Sequence, residues 1–261
     1  MNPPEPSAGC GQTEWPAAGN QTIDVDGTMR EYITKIPSSY DPNKPYRLVF
    51  AWHGLGGTAM SIAGGFSGGY YGLATAQRWA EEAIFIAGQG LPTMGADGSA
   101  GGAGWPNSGG RDVNFTRKLI EWATSEYCID RTRIFSTGMS YGGIMSNTIG
   151  CELGDQLRAI APIAGSGPRT FGGRMCVGQP AAWITHGNMD TVVSYMSGQS
   201  SRDHWVMANH CTMDTLPVAP EMCVAYQGCD PGHPVHWCEF SGGHTVPQFA
   251  AQAIFEFFKQ F

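Results

Sequence analysis

Charged residues are scarce in this chain. Only 14% of its 261 residues are Asp, Glu, Lys or Arg, the formal net charge is −7, and no cluster of basic residues stands out. Because phosphate backbones are bound by grouped lysines and arginines, we expect no nucleic acid partner. No apolar run approaches the ~20 residues that a membrane-spanning helix needs, so we expect no membrane partner either.

Metal-binding cysteine spacing is also missing. The eight cysteines form no C-x-x-C pair, which argues against zinc-ribbon and thioredoxin-type sites, and we predict no metal and no other cofactor. An even number of cysteines without such spacing favours four disulfides and a secreted, extracellular protein. No signal peptide is recognisable, so this expectation depends on the cysteines. Two glycosylation sequons, at Asn20 and Asn114, are of a kind that is common by chance.

Cysteine spacing alone does not determine which cysteines are paired, because eight of them allow about a hundred pairings. We expect Cys128–Cys151, which would join the two helices predicted before and after one strand. We also expect Cys223–Cys229, which would close a short loop.

Strands and helices are predicted to alternate along most of the chain. Residues 1–20 are rich in Pro, Gly and Ser and are expected to form an extended arm, and 21–261 to form a single domain. Strand–helix alternation predicts an α/β fold with a mostly parallel central sheet and helices on both faces. The predicted strands are 21–25, 30–36, 47–52, 83–87, 133–137, 159–164, 181–185 and 235–240; the predicted helices are 70–82, 112–127, 141–153 and 246–261.

Two long segments interrupt this alternation. Residues 89–111 form a Gly-rich stretch that we predict to be a loop, and a loop of this length inside a domain is usually functional. Residues 191–234 form an insertion that contains three of the eight cysteines. No internal repeat and no linker to a second domain are visible.

A G-x-S-x-G pattern occurs twice, around Ser67 and around Ser140. Ser140 follows a short apolar strand and precedes a predicted helix, which is the strand–turn–helix context that exposes a nucleophilic hydroxyl. Ser67 lies in a Gly-rich stretch with no strand before it. We therefore predict Ser140 as a nucleophile and Ser67 as a loop residue.

A nucleophilic serine needs a base and an acid that orients the base. His244 follows the last predicted strand in a Gly-rich turn, and Asp190 follows the strand before it. The order Ser, Asp, His is that of α/β-hydrolases. The alternatives are a packing role for His244 and a turn-capping role for Asp190, with weaker acid candidates at Asp155, Asp203 and Asp214.

An oxyanion hole requires two backbone N–H groups beside the nucleophile. One is predicted from Tyr141, the residue after Ser140, and the other from Leu55 in the Gly-rich turn after the strand 47–52. His53 precedes this turn. We interpret it as a buried, hydrogen-bonded residue rather than a base.

The chain resembles the esterase family that joins fungal feruloyl esterases and extracellular polyhydroxybutyrate depolymerases. The resemblance covers nearly the whole chain and is most specific in GWPNSGGRDV (104–113), YCID (127–130) and RIFSTGMSYGG (133–143). WHG (52–54) and GGHTVP (242–247) add to it. It is closest to secreted feruloyl esterases of carbohydrate esterase family 1, and it implies Ser140, Asp190 and His244 as the catalytic triad. Val246 stands where depolymerase-like relatives often have Trp.

The resemblance implies a substrate of the hydroxycinnamoyl class, esterified to arabinoxylan or its oligosaccharides. Trp105, Tyr70 and Tyr71, together with Phe66 and Tyr141, are predicted to lie on loops where a phenolic ring could stack on them, although each is also a plausible core or surface residue. We expect a serine esterase that acts as a monomer. The alternatives are a polyhydroxybutyrate depolymerase, an acetylxylan esterase, and a catalytically inactive protein that binds polysaccharide.

Overall fold

Ten strands share one twisted sheet in a computed structural model that describes residues 3–65, 68–75, 77–94 and 99–261. In chain order, the strands of the described residues are β1 Gly19–Val25, β2 Thr28–Lys35, β3 Tyr46–Trp52, β4 Ala83–Gly88, β5 Leu91–Met94, β6 Ala100–Gly104, β7 Ile129–Met139, β8 Ala159–Ile163, β9 Ala181–Gly187, β10 Thr215–Val218, β11 Cys223–Tyr226 and β12 Val235–Phe240. β5 and β6 pair with each other in a separate two-stranded sheet, and the other ten form the main sheet. The α-helices are α1 Ala59–Ala63, α2 Arg111–Glu126, α3 Tyr141–Glu152, α4 Tyr195–Ala208 and α5 Ala250–Phe258.

The sheet has the order β1-β2-β4-β3-β7-β8-β9-β12-β11-β10. Its six central strands, β4 to β12 in that order, are parallel, and an antiparallel pair flanks them on each side. This confirms the predicted mostly parallel α/β sheet. The carboxyl ends of the central strands share one edge, where ligands of such sheets bind.

Alternate side chains of β3 enter two different cores. Phe50 and Trp52 point toward α2, α3 and α4, whereas Val49 and Ala51 face α5 on the other side of the sheet. A strand that is buried on both faces must be apolar at every position, which is why β3 is a continuous apolar run. The helices on both faces keep the central strands straight under the edge that holds the candidate site.

The arm that precedes β1 lies against the body of the protein. Ser7 exchanges hydrogen bonds with Ile129 and Tyr127, and Cys10 forms a disulfide with Cys128. Gly9 has no room for a side chain, since a Cβ there would lie 2.3 Å from the Tyr127 carbonyl oxygen. These contacts hold the arm over the junction of α2 and β7.

Four disulfides are present, as expected, but neither predicted pairing is correct. The pairs are Cys10–Cys128, Cys151–Cys176, Cys211–Cys229 and Cys223–Cys238. Cys128 is taken by the arm, so it does not reach Cys151. Cys223 lies directly opposite Cys238 in the β11–β12 register, and this cross-strand position excludes Cys229 as its partner.

Three segments differ from the expected secondary structure. The described residues of 70–82 form a single 3₁₀ turn and further turns, because Tyr70 and Tyr71 have positive φ angles of 51° and 56° that a helix does not permit. The expected loop 89–111 contains the β5–β6 hairpin. The insertion 191–234 contains α4 and two edge strands of the main sheet. Ser67 and Phe66 lie outside the described residues.

The stability of the fold should depend on pH through His236 on β12. Burial lowers its pKa from 6.5 to about 4, and its ring packs edge-on against Phe257 at 4.8 Å. Between pH 6.5 and 4 the unfolded chain therefore binds more protons than the native chain, so the free energy of unfolding falls with acidification, by at most about 3 kcal/mol for this residue.

We expect His236→Gln to flatten the dependence of the free energy of unfolding on pH over this window, as measured by urea denaturation. The control is His210→Gln, because His210 is exposed and contacts Asp230 and Gln179 at the surface. An unchanged slope in His236→Gln would contradict this assignment.

Candidate active site

The backbone turns sharply at Ser140, between β7 and α3. Ser140 has φ 59° and ψ −121°, a conformation that non-glycine residues rarely adopt. Its N–H donates to the Ile163 carbonyl at 2.9 Å, and its carbonyl accepts from Ile144 N–H at 2.9 Å. The neighbouring strand and the first turn of the helix thus hold the strained residue in place, at the sheet edge where the parallel strands end.

The glycines on either side of Ser140 are required by close backbone approach. A Cβ at Gly142 would lie 2.0 Å from the Trp52 carbonyl oxygen, and one at Gly138 would lie 2.4 Å from the Gly142 carbonyl oxygen. Neither position has room for a side chain. The G-x-S-x-G pattern at Ser140 therefore has a steric cause in this fold.

Asp190 and His244 meet across the loops that follow two neighbouring parallel strands. β9 ends at Gly187 and β12 ends at Phe240, and these two residues are paired in register. A Cβ at Gly187 would lie 2.3 Å from the Gly242 carbonyl oxygen, so the backbones of the two loops approach each other too closely for a side chain at Gly187. In this arrangement His244 Nδ1 lies 2.7 Å from Asp190 Oδ2.

The Asp190 carboxylate is almost fully buried and well supplied with donors. Its Oδ1 accepts the Val192 and Val193 N–H groups at 2.9 and 3.0 Å. Burial raises the pKa of the Asp190 carboxyl, but the hydrogen bonds from His244 and the two N–H groups outweigh burial and keep the pKa below its ordinary value. The group is thus an anion that can orient an imidazole and stabilise its protonated form.

The turn after β3 lies directly against Ser140. A Cβ at Gly54 would be 3.5 Å from Ser140 Cβ and 3.9 Å from Oγ. Leu55 follows with its side chain 60% exposed. Among the described residues, the N–H groups of Leu55 and Tyr141 have no backbone carbonyl as partner, which leaves both free to donate to a ligand oxygen.

His53 is buried beneath this turn. Its Nδ1 lies 2.7 Å from the Gly54 carbonyl oxygen, and its Nε2 accepts the Gly90 N–H at 3.0 Å. Burial lowers the pKa of His53, so the ring is neutral with its proton on Nδ1. The Trp105 indole N–H donates to the His53 carbonyl at 2.9 Å. These bonds fix the path of the Gly54–Leu55 backbone.

Three predicted substrate-binding residues are instead part of the interior. Trp105 and Tyr70 are each 1% exposed and Tyr71 is 7% exposed, so none of them offers a ring face to a ligand. Tyr71 Oη donates to the Trp52 carbonyl and accepts the Met139 N–H. Packing and hydrogen bonds within the protein occupy these rings, which argues against the predicted stacking of a substrate on them.

The Tyr141 ring is half-buried. A Cβ at Gly104 would lie 2.8 Å from it, so the ring packs on the β6 backbone, and the Arg169 guanidinium lies 5.7 Å from the ring centre. Leu55, Met189 and Val192 expose apolar side chains; Met189 directly precedes Asp190 in sequence and Val192 lies two residues after it.

His186, whose Nε2 lies 3.2 Å from Asp190 Oδ2, was not predicted as a site residue from the sequence. The signal in the sequence was its position: His186 lies at the end of the strand that precedes Asp190, four residues before this predicted acid.

One group of potential metal ligands occurs in the described part of the chain, formed by Cys151, Cys176 and His204. The two sulfurs are joined in a disulfide, which removes the thiolates that a metal would need. This cluster therefore does not provide a metal centre in the oxidised protein.

Comparison with known proteins places the chain among esterases. No protein-family model matches it. It is 34% identical to feruloyl esterase D of Neurospora crassa, over 98% of this chain and 91% of the relative. It is 31% identical to feruloyl esterase C of Emericella nidulans, over 97% and 90%. The chain belongs to the feruloyl esterase family. It is therefore a carboxylic ester hydrolase, as the sequence motifs predicted.

Solved structures share the fold at lower identity. An acetyl xylan esterase from Aspergillus awamori superposes with a TM-score of 0.68 at 17% identity, over 92% of this chain and 99% of that one. A ferulic acid esterase of family CE1 from Anaeromyces mucronatus, solved in complex with ferulic acid, superposes with a TM-score of 0.60 at 20% identity, over 97% and 93%. Likeness at this level confirms the α/β-hydrolase fold.

The internal role of Tyr71 leads to a test. Tyr71→Phe removes the hydroxyl that joins Trp52 to Met139, which should lower the free energy of unfolding by about 1–3 kcal/mol. The KM for methyl ferulate should stay within about twofold, because the ring does not contact substrate. Tyr226→Phe is the control, since the Tyr226 hydroxyl has no partner among the described residues. A several-fold rise in KM without loss of stability would restore a substrate-binding role for Tyr71.

Gly54 provides a second test, because its position leaves room for a methyl group beside Ser140. Gly54→Ala should fold normally, since the nearest contact is an ordinary 3.5 Å. We expect kcat/KM to fall about 10- to 100-fold as the methyl displaces an acyl group near Oγ. Gly64→Ala, whose added methyl also meets its neighbour at 3.5 Å, is the control remote from the site. Equal activity of the two variants would contradict the placement of the substrate here.

Proposed function

We propose that the protein cleaves feruloyl and related hydroxycinnamoyl esters of arabinoxylan through an acyl-enzyme on Ser140. The observation that carries this proposal is the 2.7 Å contact of His244 with the buried Asp190 carboxylate, at the same sheet edge as the strained Ser140. Membership of the feruloyl esterase family supports the substrate class.

The residues have complementary roles in this mechanism. His244 Nε2 takes the Ser140 hydroxyl proton as Oγ attacks the ester carbonyl carbon, and Asp190 stabilises the resulting imidazolium. The N–H groups of Leu55 and Tyr141 hold the oxyanion of the tetrahedral intermediate. The intermediate collapses as His244 returns the proton to the departing sugar oxygen, which leaves the acyl group on Oγ.

Deacylation repeats these steps with water. His244 takes a proton from a water molecule that attacks the acyl carbon, and then returns it to Ser140 Oγ as the acid leaves. The low pKa of Asp190 keeps the carboxylate ionised throughout this cycle. Each proton that His244 accepts therefore stays beside a fixed negative charge.

The surface beside the site supports an aromatic acyl group. Leu55, Met189 and Val192 expose apolar side chains next to the residues that carry the chemistry, and thioether and aliphatic groups suit a planar phenolic ring. This favours a hydroxycinnamoyl over an acetyl group. An acetylxylan esterase remains the second candidate, because a structure with that activity shares the fold.

We also propose that the protein acts outside the cell. Four disulfides in one chain support an oxidising compartment. No helix in the described residues is long and apolar enough to cross a membrane.

Ser140→Ala should fold normally and lose activity by about 10⁶-fold, as expected for removal of a triad nucleophile. Hydrolysis of methyl ferulate and labelling by a fluorophosphonate probe are the measurements. Ser67→Ala changes the other G-x-S-x-G motif and serves as the control, which should keep both. Substantial hydrolysis by Ser140→Ala would refute the assignment, and absence of probe labelling of the parent protein would favour an inactive binding protein.

The same assay ranks the candidate substrates. We expect methyl ferulate to have a higher kcat/KM than hydroxybutyrate oligomers. It should also have a higher kcat/KM than p-nitrophenyl acetate once the better leaving group of p-nitrophenyl acetate is taken into account. Preference for the oligomers would indicate a depolymerase.

A further inference from the structure

A second imidazole lies against the Asp190 carboxylate. His186, on β9, is fully buried, and its Nε2 is 3.2 Å from Asp190 Oδ2. The same oxygen accepts the hydrogen bond from His244 Nδ1 at 2.7 Å. His186 Nε2 also lies 2.8 Å from the Val193 carbonyl oxygen. This nitrogen therefore faces two oxygen acceptors.

The surroundings of the ring determine where its proton lies. Nδ1 is buried and has no hydrogen-bond partner among the described residues. It faces the backbone of α4 at Gly198, where a Cβ would be only 2.3 Å away. A proton on Nδ1 would find no acceptor and would leave the Nε2 lone pair against two oxygens. A proton on Nε2 can be donated to both oxygens and leaves only an unpaired acceptor at Nδ1, where the other tautomer would leave an unpaired N–H and a lone pair facing two oxygens.

From this geometry, and on the basis of the triad proposed above, we infer that His186 is a positioning residue for the reaction. Its Nε2 carries a proton, which it shares between the Val193 carbonyl and Asp190. It fixes the loop from Asp190 to Val193 at the end of β9. It also draws part of the negative charge of Oδ2 away from His244.

The other titratable groups around His186 belong to neighbouring elements. The ring of Tyr195, at the start of α4, lies 6.4 Å away in an edge-on arrangement. Burial and the Glu239 carboxylate raise the pKa of Tyr195 to about 12, so its hydroxyl stays protonated and donates to Glu239. Asn188 donates to the other Glu239 oxygen, and Arg202 lies on the same helix. Tyr195 therefore does not change charge near neutral pH.

A positioning role predicts an effect on the pH profile that a packing role does not. Without the His186 donor, the full Oδ2 charge acts on His244 and stabilises the imidazolium form more strongly. In His186→Leu the midpoint of the acidic limb of log kcat/KM should move up by about half to one pH unit. We expect kcat to fall about 10- to 100-fold while KM changes little.

Conservative variants keep the test valid if His186→Leu does not fold. The amide of His186→Gln reaches the position of Nε2 and should restore the parent midpoint and most of kcat, whereas His186→Asn is too short and should behave like Leu. An unshifted midpoint in Asn and Leu, or a failure of Gln to restore it, would overturn the inference. The tautomer is measured directly by ¹⁵N NMR of histidine-labelled protein, where a proton on Nδ1 of His186 would also overturn it.

The two proposals fail separately. If Ser140→Ala remains active, the triad itself is wrong. If Ser140→Ala is inactive but the His186 variants keep the parent midpoint, only the role of His186 is wrong.

Discussion

The candidate site depends on the contact between the loops that follow β9 and β12. The two strands are parallel neighbours, but their loops meet only because Gly187 presents bare backbone to the Gly242 carbonyl. The Met189 N–H then donates to the Gly242 carbonyl at 2.9 Å, which fixes the residue before Asp190 to the loop that carries His244. A side chain at Gly187 would separate the acid from the base, although neither residue would itself be altered.

Interior aromatic residues provide the second constraint, on the other side of Ser140. Tyr71 joins the end of β3 to the end of β7, and Trp105 holds the His53 carbonyl. These rings lie near the site because they hold the backbones that form it. Aromatic residues in glycine-rich loops near a catalytic motif suggest substrate stacking, but the sequence contains no sign that a ring is buried.

Most of the parallel sheet, the sharp turn at Ser140 and the positions of Asp190 and His244 just beyond strand ends were predictable from the sequence. Each depends on local signals: continuous apolar strands, a G-x-S-x-G turn, and histidine and aspartate just beyond strand ends. The disulfides were not predictable in the same way, because Cys223–Cys238 follows from the register of β11 on β12, which is a tertiary property. The helix expected at 70–82 does not form, because Tyr70 and Tyr71 have left-handed conformations while Tyr70 packs on Phe85 of β4 and the Tyr71 hydroxyl bonds to the ends of β3 and β7.

The surroundings of Asp190 were not predictable from the sequence for the same reason: they depend on contacts that only the tertiary structure creates. A histidine four residues before an aspartate has no fixed meaning in a loop, and only the turn after β9 brings the two side chains together. Two buried imidazoles then lie under the two halves of the site: His53 beneath the turn at Gly54, and His186 beneath Asp190. A neutral imidazole donates one directed N–H bond without adding charge, so both halves can be held rigid while the charge that develops in catalysis is confined to Asp190, His244 and the oxyanion.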